Sequence, residues 1–572
     1  MPVHNAEIAR LFEQLADLLE VEDANPFRVR AYRNAARTVS NNSKSMADLL
    51  AGGKDLSKLP GIGKDLAEKI RTIVETGRLP LLEEVRARTP AALSDLMKIE
   101  GLGSKRVKVL YSQLHITCPE DLQRAARSGR IRELEGFGRK TEEMILHRLE
   151  HFGDAQARTR LVDAEETVKP LLAYLQATRG IKDIVVAGSF RRRSETVGDL
   201  DILATASRGS PVMDRFVAYD QVAEVISSGK TRATVVLRSG LHVDLRVVPQ
   251  ASYGAALCYF TGSRAHNIAI RKIGVRKGYK INEYGVFRHD KRIAGKTEKS
   301  VYRQVGLPCI EPELRENSGE IEAAGKNRLP RLVSVDDIRG DLHCHTRASD
   351  GHDSLEEMVT AARAKGYEYI AITDHSKRLT VAHGLDEKRL LREIGQIDRL
   401  NDKLDDIVIL KGIEVDILED GTLDIQDKLL GQLDLVVGAV HYKFNLTRRK
   451  QTERIIRAMD NPYFNILAHP TARLINERAA SEMDMEKVMT AARERGCFLE
   501  VNAQPVRLDL TDSHCRLARE AGLRVAISTD AHSTKGLDHM RFGIDQARRG
   551  WLEAADVLNT CKLPDLRKLL TR

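Results

Sequence analysis

GSFRRRSETVGDLD, from Gly188 to Asp201, decides how the middle of this 572-residue chain folds. The apolar run IKDIVVAG precedes it and LDILATA contains its end, so a strand, a tight Gly-Ser turn, a basic loop and a second strand form the simplest reading. Asp199 and Asp201 are two apart on that second strand, which puts both carboxylates on one face. Such a pair is costly to ionise unless a cation sits between the two groups. LHVDLRVV offers Asp244, on another alternating strand, as a third member. Three carboxylates holding two Mg²⁺ ions are the arrangement that in-line phosphoryl transfer needs. Gly188, Ser189 and Arg191 to Arg193 would offer N–H, hydroxyl and guanidinium donors to a triphosphate. The plain alternative is an exposed strand with solvated acids, and Gly-Ser at this spacing favours nucleotidyl transfer over it.

Working outward, the chain is too long for one core, and three or four domains are expected. Charged residues make up 30% and hydrophobic ones 42%, an ordinary soluble composition with no apolar run long enough to span a bilayer. MPVHNAEIARLF lacks the apolar core of a signal peptide, so a cytoplasmic location and no membrane partner are expected. The seven cysteines are scattered without a CxxC pair and read as reduced thiols. Net charge is +9, and its distribution matters more than its size. Residues 151–330 carry 29 Lys and Arg against 20 Asp and Glu; residues 1–150 carry 25 against 22, and residues 331–572 carry 37 against 40. The basic excess surrounds the opening stretch, where a polyanionic partner is expected.

The first 150 residues read as helices with short turns and contain a weak repeat: LPGIGKDLAEKI (59–70), IEGLGSKRVKVL (99–110) and LEGFGRKTEEMI (134–145). Each Gly pair permits a hairpin that ordinary residues resist and leaves N–H groups free at a helix N-terminus. Gly61, Gly63 and Lys64, then Gly101, Gly103 and Lys105, then Gly136 and Gly138 are therefore candidate contacts to DNA phosphates, made without reading bases. The three copies resemble helix-hairpin-helix motifs.

CYFTGSRAHNIAIR (258–271) opens with aromatics, turns at Thr-Gly-Ser and continues as a helix. With GSFRR-x6-DxD ahead of it and hairpin motifs ahead of that, the order resembles the X-family DNA polymerases from about Asn25 to Glu311. The resemblance implies that Asp199, Asp201 and Asp244 bind Mg²⁺ or Mn²⁺ in a palm. It implies that Gly188, Ser189, Arg192 and Gly198 hold the triphosphate, and that Tyr259, Phe260 and Gly262 lie beside the sugar. Asn267 would contact the nucleotide base and Arg271 the template. Three positions depart from the eukaryotic pattern: Arg193 replaces a glycine, Arg264 an acid, and Asp163 a triphosphate-binding arginine. Lys69 falls on the family's Schiff-base lysine, Tyr32 on its supporting tyrosine, and Arg28 replaces a phosphate-gripping lysine. With Lys64, Arg28 and Arg33 expected as cationic neighbours, Lys69 is a candidate lyase nucleophile or a phosphate contact.

Beyond the charged, aperiodic segment 311–331, β-rich runs end in DLHCH (341–345), AITDH (371–375), GIEVD (412–416), GAVH (438–441), ILAHP (466–470), LEVN (499–502) and ISTDAH (527–532). Helical patterns separate most of them, which implies a parallel sheet closed into a barrel whose C-terminal rim carries the chemistry. Nine candidate ligands sit at those ends: His343, His345, Asp350, His375, Glu414, His441, His469, Asp530 and His532. Imidazole and carboxylate suit Zn²⁺, Mn²⁺ or Fe. This set resembles the polymerase and histidinol phosphatase (PHP) domain from about Ile338 to Leu570. The resemblance implies a site for up to three ions, Zn²⁺ or Mn²⁺. Glu414 would bridge two of them, shared with His343, His345, His441, His469 and Asp530, while Asp350, His375 and His532 would hold the third. Asn502 ends a strand without an evident role.

The expected architecture is multidomain. An α-helical, lyase-like hairpin domain (1–90) is followed by a fingers-like helical domain (91–152), an α+β nucleotidyltransferase palm (153–252) and a thumb (253–312). A linker (313–336) then leads to a distorted (β/α)7 PHP barrel (337–572). The expected function is a monomeric, gap-filling, base-excision-type DNA repair polymerase that uses dNTPs on gapped or nicked double-stranded DNA. The barrel would act as a 3′–5′ exonuclease or 3′-end phosphoesterase, with AP endonuclease activity a further option. The alternatives are a barrel that only braces the polymerase, and a protein that mainly binds DNA ends.

Overall fold

Apolar residues recur at helical spacing through the first 150 residues, and the chain there folds into helices from Asn5–Val21 to Arg139–Glu150. The computed structural model describes residues 5–40, 42, 46–59, 61–97, 99, 102–150 and 158–572. The chain divides into two units, Met1–Ala157 and Arg158–Arg572. In the first, Phe12, Leu15, Tyr32, Ile70 and Leu110 belong to one continuous apolar core. Gly63 and Gly103 cap the helices Lys64–Thr76 and Ser104–Leu114 without any side-chain cap, so the first N–H groups of each helix face outward.

The second unit begins with a five-stranded sheet in the order 181–186, 199–206, 242–247, 232–237, 222–228. Strands 199–206 and 242–247 run parallel; the other neighbours are antiparallel. Alternation divides the faces. Leu200, Ile202, Ala204, Val243 and Leu245 turn onto Leu161, Leu171 and Phe216, leaving Asp199, Asp201 and Asp244 on the opposite face. The expected Gly-Ser turn is a single helical turn, Gly188–Arg191. Next come the helices Tyr253–Thr261 and Arg264–Arg276, a three-stranded antiparallel sheet (280–294) and the helix Glu298–Val305.

Residues 313–336, expected as a linker, are packed. Arg315 is 1% exposed, and its guanidinium lies 2.6 Å from Glu298. Glu320, fully buried, lies 2.6 Å from His266 Nδ1, whose Nε2 is 2.8 Å from the Tyr302 hydroxyl. Arg315 and Glu320, two of the charges that suggested a linker, are paired internally, which composition alone does not reveal.

The remaining chain forms seven parallel strands in sequence order, from Gly340–Asp341 to Val525–Ser528. Tyr369 and Ala371 join Leu410, Val437 and Ile466 inside the barrel, whereas Ile370 and Ile372 face the outer helices. Leu566 and Leu570 of the last helix also belong to the interior group. The barrel is nearly closed: Cys344 bridges Ala531, and the Asn559 amide joins Gly340 O to Ile527 N and O. All seven cysteines are free. Among the described residues, no helix is long and apolar enough to cross a membrane.

Candidate functional site

In the palm, Asp201 and Asp244 are direct cross-strand partners, with Asp199 one pleat away opposite His242. Gly188 sits at φ +62°, and a Cβ there would lie 2.8 Å from Asp201 Oδ2, so only glycine allows this approach. Burial first, then Asp199 and Asp244, raise the Asp201 carboxyl to about 7. Three acids gathered on one face repel one another, and a bound cation would offset that repulsion. Arg232, 3.4 Å from Asp244, and Thr234, which donates to it, are neighbours that the sequence reading missed.

Of the three arginines read as triphosphate donors, Arg192 contacts Thr261 O (2.7 Å) and Glu316 (2.9 Å). Arg191 is bound to Glu298 (2.6 Å) and Thr261 (2.7 Å), and Arg193 to Asp545 (2.6 Å) and Glu165 (2.6 Å). Half-buried carboxylates that no local pattern announces have claimed both. Gly198 is exposed and Ser189 half-buried at the helical turn. Tyr259 and Phe260 pack edge to face at 5.1 Å; Arg246 lies over Phe260 and Arg271 over Tyr259. Asn267 donates to Tyr259 O at 2.7 Å, and Gly262 completes the turn between the two helices. Asp163 is taken up by Arg160 at 2.8 Å, and Arg264 is exposed.

In the N-terminal unit, Gly61, Gly63, Lys64, Gly103, Lys105, Gly136 and Gly138 are exposed, while Gly101 lies outside the described residues. Lys69 Nζ is paired with Asp65. Tyr32 is buried 5.8 Å from Phe12, and Arg33 is bound to Asp17 (3.0 Å) and Glu20.

In the barrel the candidate ligands converge on Glu414. Its carboxylate lies 2.7 Å from His375, 3.0 Å from His469, 3.4 Å from His343 and from His441, and 3.6 Å from His345. Three groups of ligand atoms form: His345, Asp350, His375 and His532; His343, His345 and Asp530; and His375, Glu414 and His441. His345 and His375 are therefore shared between groups that the resemblance kept apart. Burial alone would raise the Glu414 carboxyl, but His375, His343 and His441 hold it well below the usual range. Among buried atoms, His343 Nε2, His345 Nε2 and Glu414 Oε2 make no hydrogen bond. Orphaned donor atoms aimed at common points, all nitrogen or oxygen, fit divalent cations.

An outer layer orients these ligands. Glu500 lies 2.7 Å from His343 Nδ1 and accepts the His469 N–H at 2.7 Å; Asp416 lies 2.6 Å from His441 Nδ1. Asn502 now has a role, because its amide donates to both Glu500 and Asp530 at 3.0 Å. Glu500 shares a strand face with Asn502, and Asp416 with Glu414; that period of two was the available signal for both missed acids. His469 (φ +26°) and Asp530 (φ +51°) take backbone conformations that L-residues avoid, in keeping with strain held at a functional site.

Family models match four segments: a helix-hairpin-helix domain (3–79), a SAM-like helix-hairpin-helix tandem (93–150), the DNA polymerase beta thumb (256–316) and the PHP domain (341–504). The chain is 37% identical over 574 residues to the DNA polymerase/3′–5′ exonuclease PolX of Bacillus subtilis, covering 100% of both. It is 27% identical over 343 residues to DNA polymerase lambda of Rattus norvegicus, covering 55% of this chain and 56% of that one. A probable phosphatase of Thermoanaerobacter is 30% identical over 233 residues, covering 38% of this chain and 89% of its own.

Proposed function

Because this chain belongs to the family X DNA polymerases that carry a PHP domain, we propose that it is a gap-filling DNA repair polymerase whose barrel trims 3′ ends. The observation that carries the reading is the presence of two separate ligand constellations in one chain. One is a carboxylate trio on neighbouring palm strands, and the other an imidazole-rich cage at the barrel rim.

In the palm, Asp199, Asp201 and Asp244 would hold two Mg²⁺ or Mn²⁺ ions. Ser189 and Arg192 orient the triphosphate, while Gly188 and Gly198 leave room for it. Tyr259, Phe260 and Gly262 bound the sugar, Asn267 addresses the base and Arg271 the template. In the barrel, Glu414 and the histidines around it would hold Zn²⁺ or Mn²⁺, with Glu500, Asp416 and Asn502 fixing their geometry. Divalent ions at both centres supply activation of the attacking oxygen and neutralisation of charge on the reacting phosphate. The exposed hairpin glycines with Lys64 and Lys105 grip DNA phosphates without reading sequence. The protein works as a monomer on dNTPs and gapped or nicked DNA in the cytoplasm.

The test is one assay on gapped DNA, with Mg²⁺ and Mn²⁺ compared. Primers should lengthen when dNTPs are present and shorten from the 3′ end when they are withheld. Extension without any shortening would reduce the barrel to a brace, and binding with neither would leave a DNA-end binder. Bracing has its own support as an added role, because Ile475, Leu508 and Phe542 of the barrel lie in the apolar core of the palm.

A further inference from the structure

The basic loop of the palm is held from the barrel at three successive points. At the first, Arg193 has φ +57°, a left-handed conformation that glycine enters freely and arginine does not. Its guanidinium bonds Asp545 through Nε (2.7 Å) and Nη2 (2.6 Å), and reaches Glu165 through Nη1 (2.6 Å). Asp545 lies on the barrel helix Met540–Arg549. One turn further along the same face, Arg549 donates to the carbonyl of Arg192 (2.9 Å) and to Glu316 (3.2 Å), while Asp512 anchors its other edge at 2.8 Å. Glu316 is also the carboxylate that holds Arg192, at 2.9 Å. At the third point, Arg473 of the barrel grips Glu195 at 2.6 Å. None of these barrel residues belongs to the metal-ligand groups.

We propose that Asp545 and Arg549 are positioning residues of the polymerase centre: they hold the Arg192–Arg193 backbone in the conformation that presents Ser189 and Arg192 to the triphosphate. This rests on the polymerase reading above. The barrel thus has a second role that does not depend on its own chemistry. The ion pairs replace what a glycine at position 193 would provide by conformational freedom alone.

The test is steady-state gap filling by full-length wild type, Asp545→Asn, Arg193→Gly and the double variant, with 3′–5′ degradation measured on the same preparations. Asp545→Asn should raise KM for the dNTP about tenfold with a smaller change in kcat, since a displaced loop weakens nucleotide placement. Degradation should stay within about twofold, because Asp545 touches no barrel ligand. Arg193→Gly should keep KM near wild type, and adding Asp545→Asn to it should have no further effect. The proposal is overturned if Asp545→Asn leaves KM unchanged, or if the double variant is as impaired as Asp545→Asn alone. If Asp545→Asn loses both activities through poor folding, recovery of the dNTP KM by Arg193→Gly still supports the proposal, and its absence overturns it. A wild type that fails to extend primers would instead refute the polymerase reading.

Discussion

The palm centre consists of three carboxylates on two adjacent strands, with Asp199 exposed and Asp201 and Asp244 half-buried. The barrel centre draws nine groups from six strand ends; Asp350, His441 and His532 are half-buried and the other six are buried. The remaining strand, Phe498–Asn502, supplies Glu500 and Asn502 to the outer layer. The difference lies in who completes the coordination. Three carboxylates leave most positions around an ion to be filled by water and triphosphate oxygens, so the palm's ions should arrive with the nucleotide. In the barrel each group gathers three or four protein ligands, so its ions should persist through purification. One chain would thus combine an exchanging centre with a resident one.

The largest effect that could break this contrast comes from removing one ligand at each centre. Asp199→Ala should lower nucleotide incorporation by at least about a thousandfold while 3′-end degradation continues; His343→Ala should do the reverse. Loss of both activities in a folded Asp199→Ala protein that still binds DNA would dissolve the two-centre account.

A smaller effect sharpens the idea of residence. Glu500→Gln weakens the support of His343 and His469 without removing a ligand. It should lower barrel metal affinity and degradation by about 10–100-fold and leave incorporation unchanged. Unchanged metal retention in that variant would show that the outer layer is not needed.

The exchanging centre has a signature of its own in metal-free protein. Asp201 titrates at about 7 when folded, above its ordinary 3.8. A carboxyl raised in this way favours the fold below about pH 4, and that contribution is lost as pH rises through 7. Asp201→Asn should therefore gain stability over wild type between pH 5 and 8, on the order of 2 kcal/mol after allowing for partial solvent access, as read from denaturation midpoints. Parallel stability profiles for the two proteins would mean that neither burial nor the neighbouring acids raise the Asp201 carboxyl.

The smallest effect is expected at Lys69. Its amine is paired with Asp65, and Arg33, one of the cations expected beside it, is bound to Asp17 and Glu20. Borohydride trapping on 5′-incised abasic DNA should be weak and little changed by Lys69→Ala, as for a phosphate contact. Strong trapping that disappears in the variant would make Lys69 a lyase nucleophile.

Both centres were legible because their ligands repeat at a strand's period of two or stand at strand ends, as in DLD, HCH and DAH. The hairpins were legible because only paired glycines make such turns at those spacings. What the sequence hid is what distant parts of the chain supply to one another. Arg191 and Arg193 looked like donors to a nucleotide until Glu298, Asp545 and Glu165 were seen to hold them. Segment 313–336 looked like a linker because the partners of Arg315 and Glu320, namely Glu298 and His266, lie earlier in the chain. Ion pairs between residues 17 to 352 apart in the chain leave no periodic trace.

Metal analysis tests the contrast between resident and exchanging ions most directly. After exhaustive dialysis without chelator, wild type and Asp199→Ala should both retain about two to three ions per chain, corresponding to the three ligand groups of the barrel, and Glu414→Ala should retain fewer than about one. Fewer than about one ion in the wild type, or a loss of ions caused by Asp199→Ala, would contradict the account.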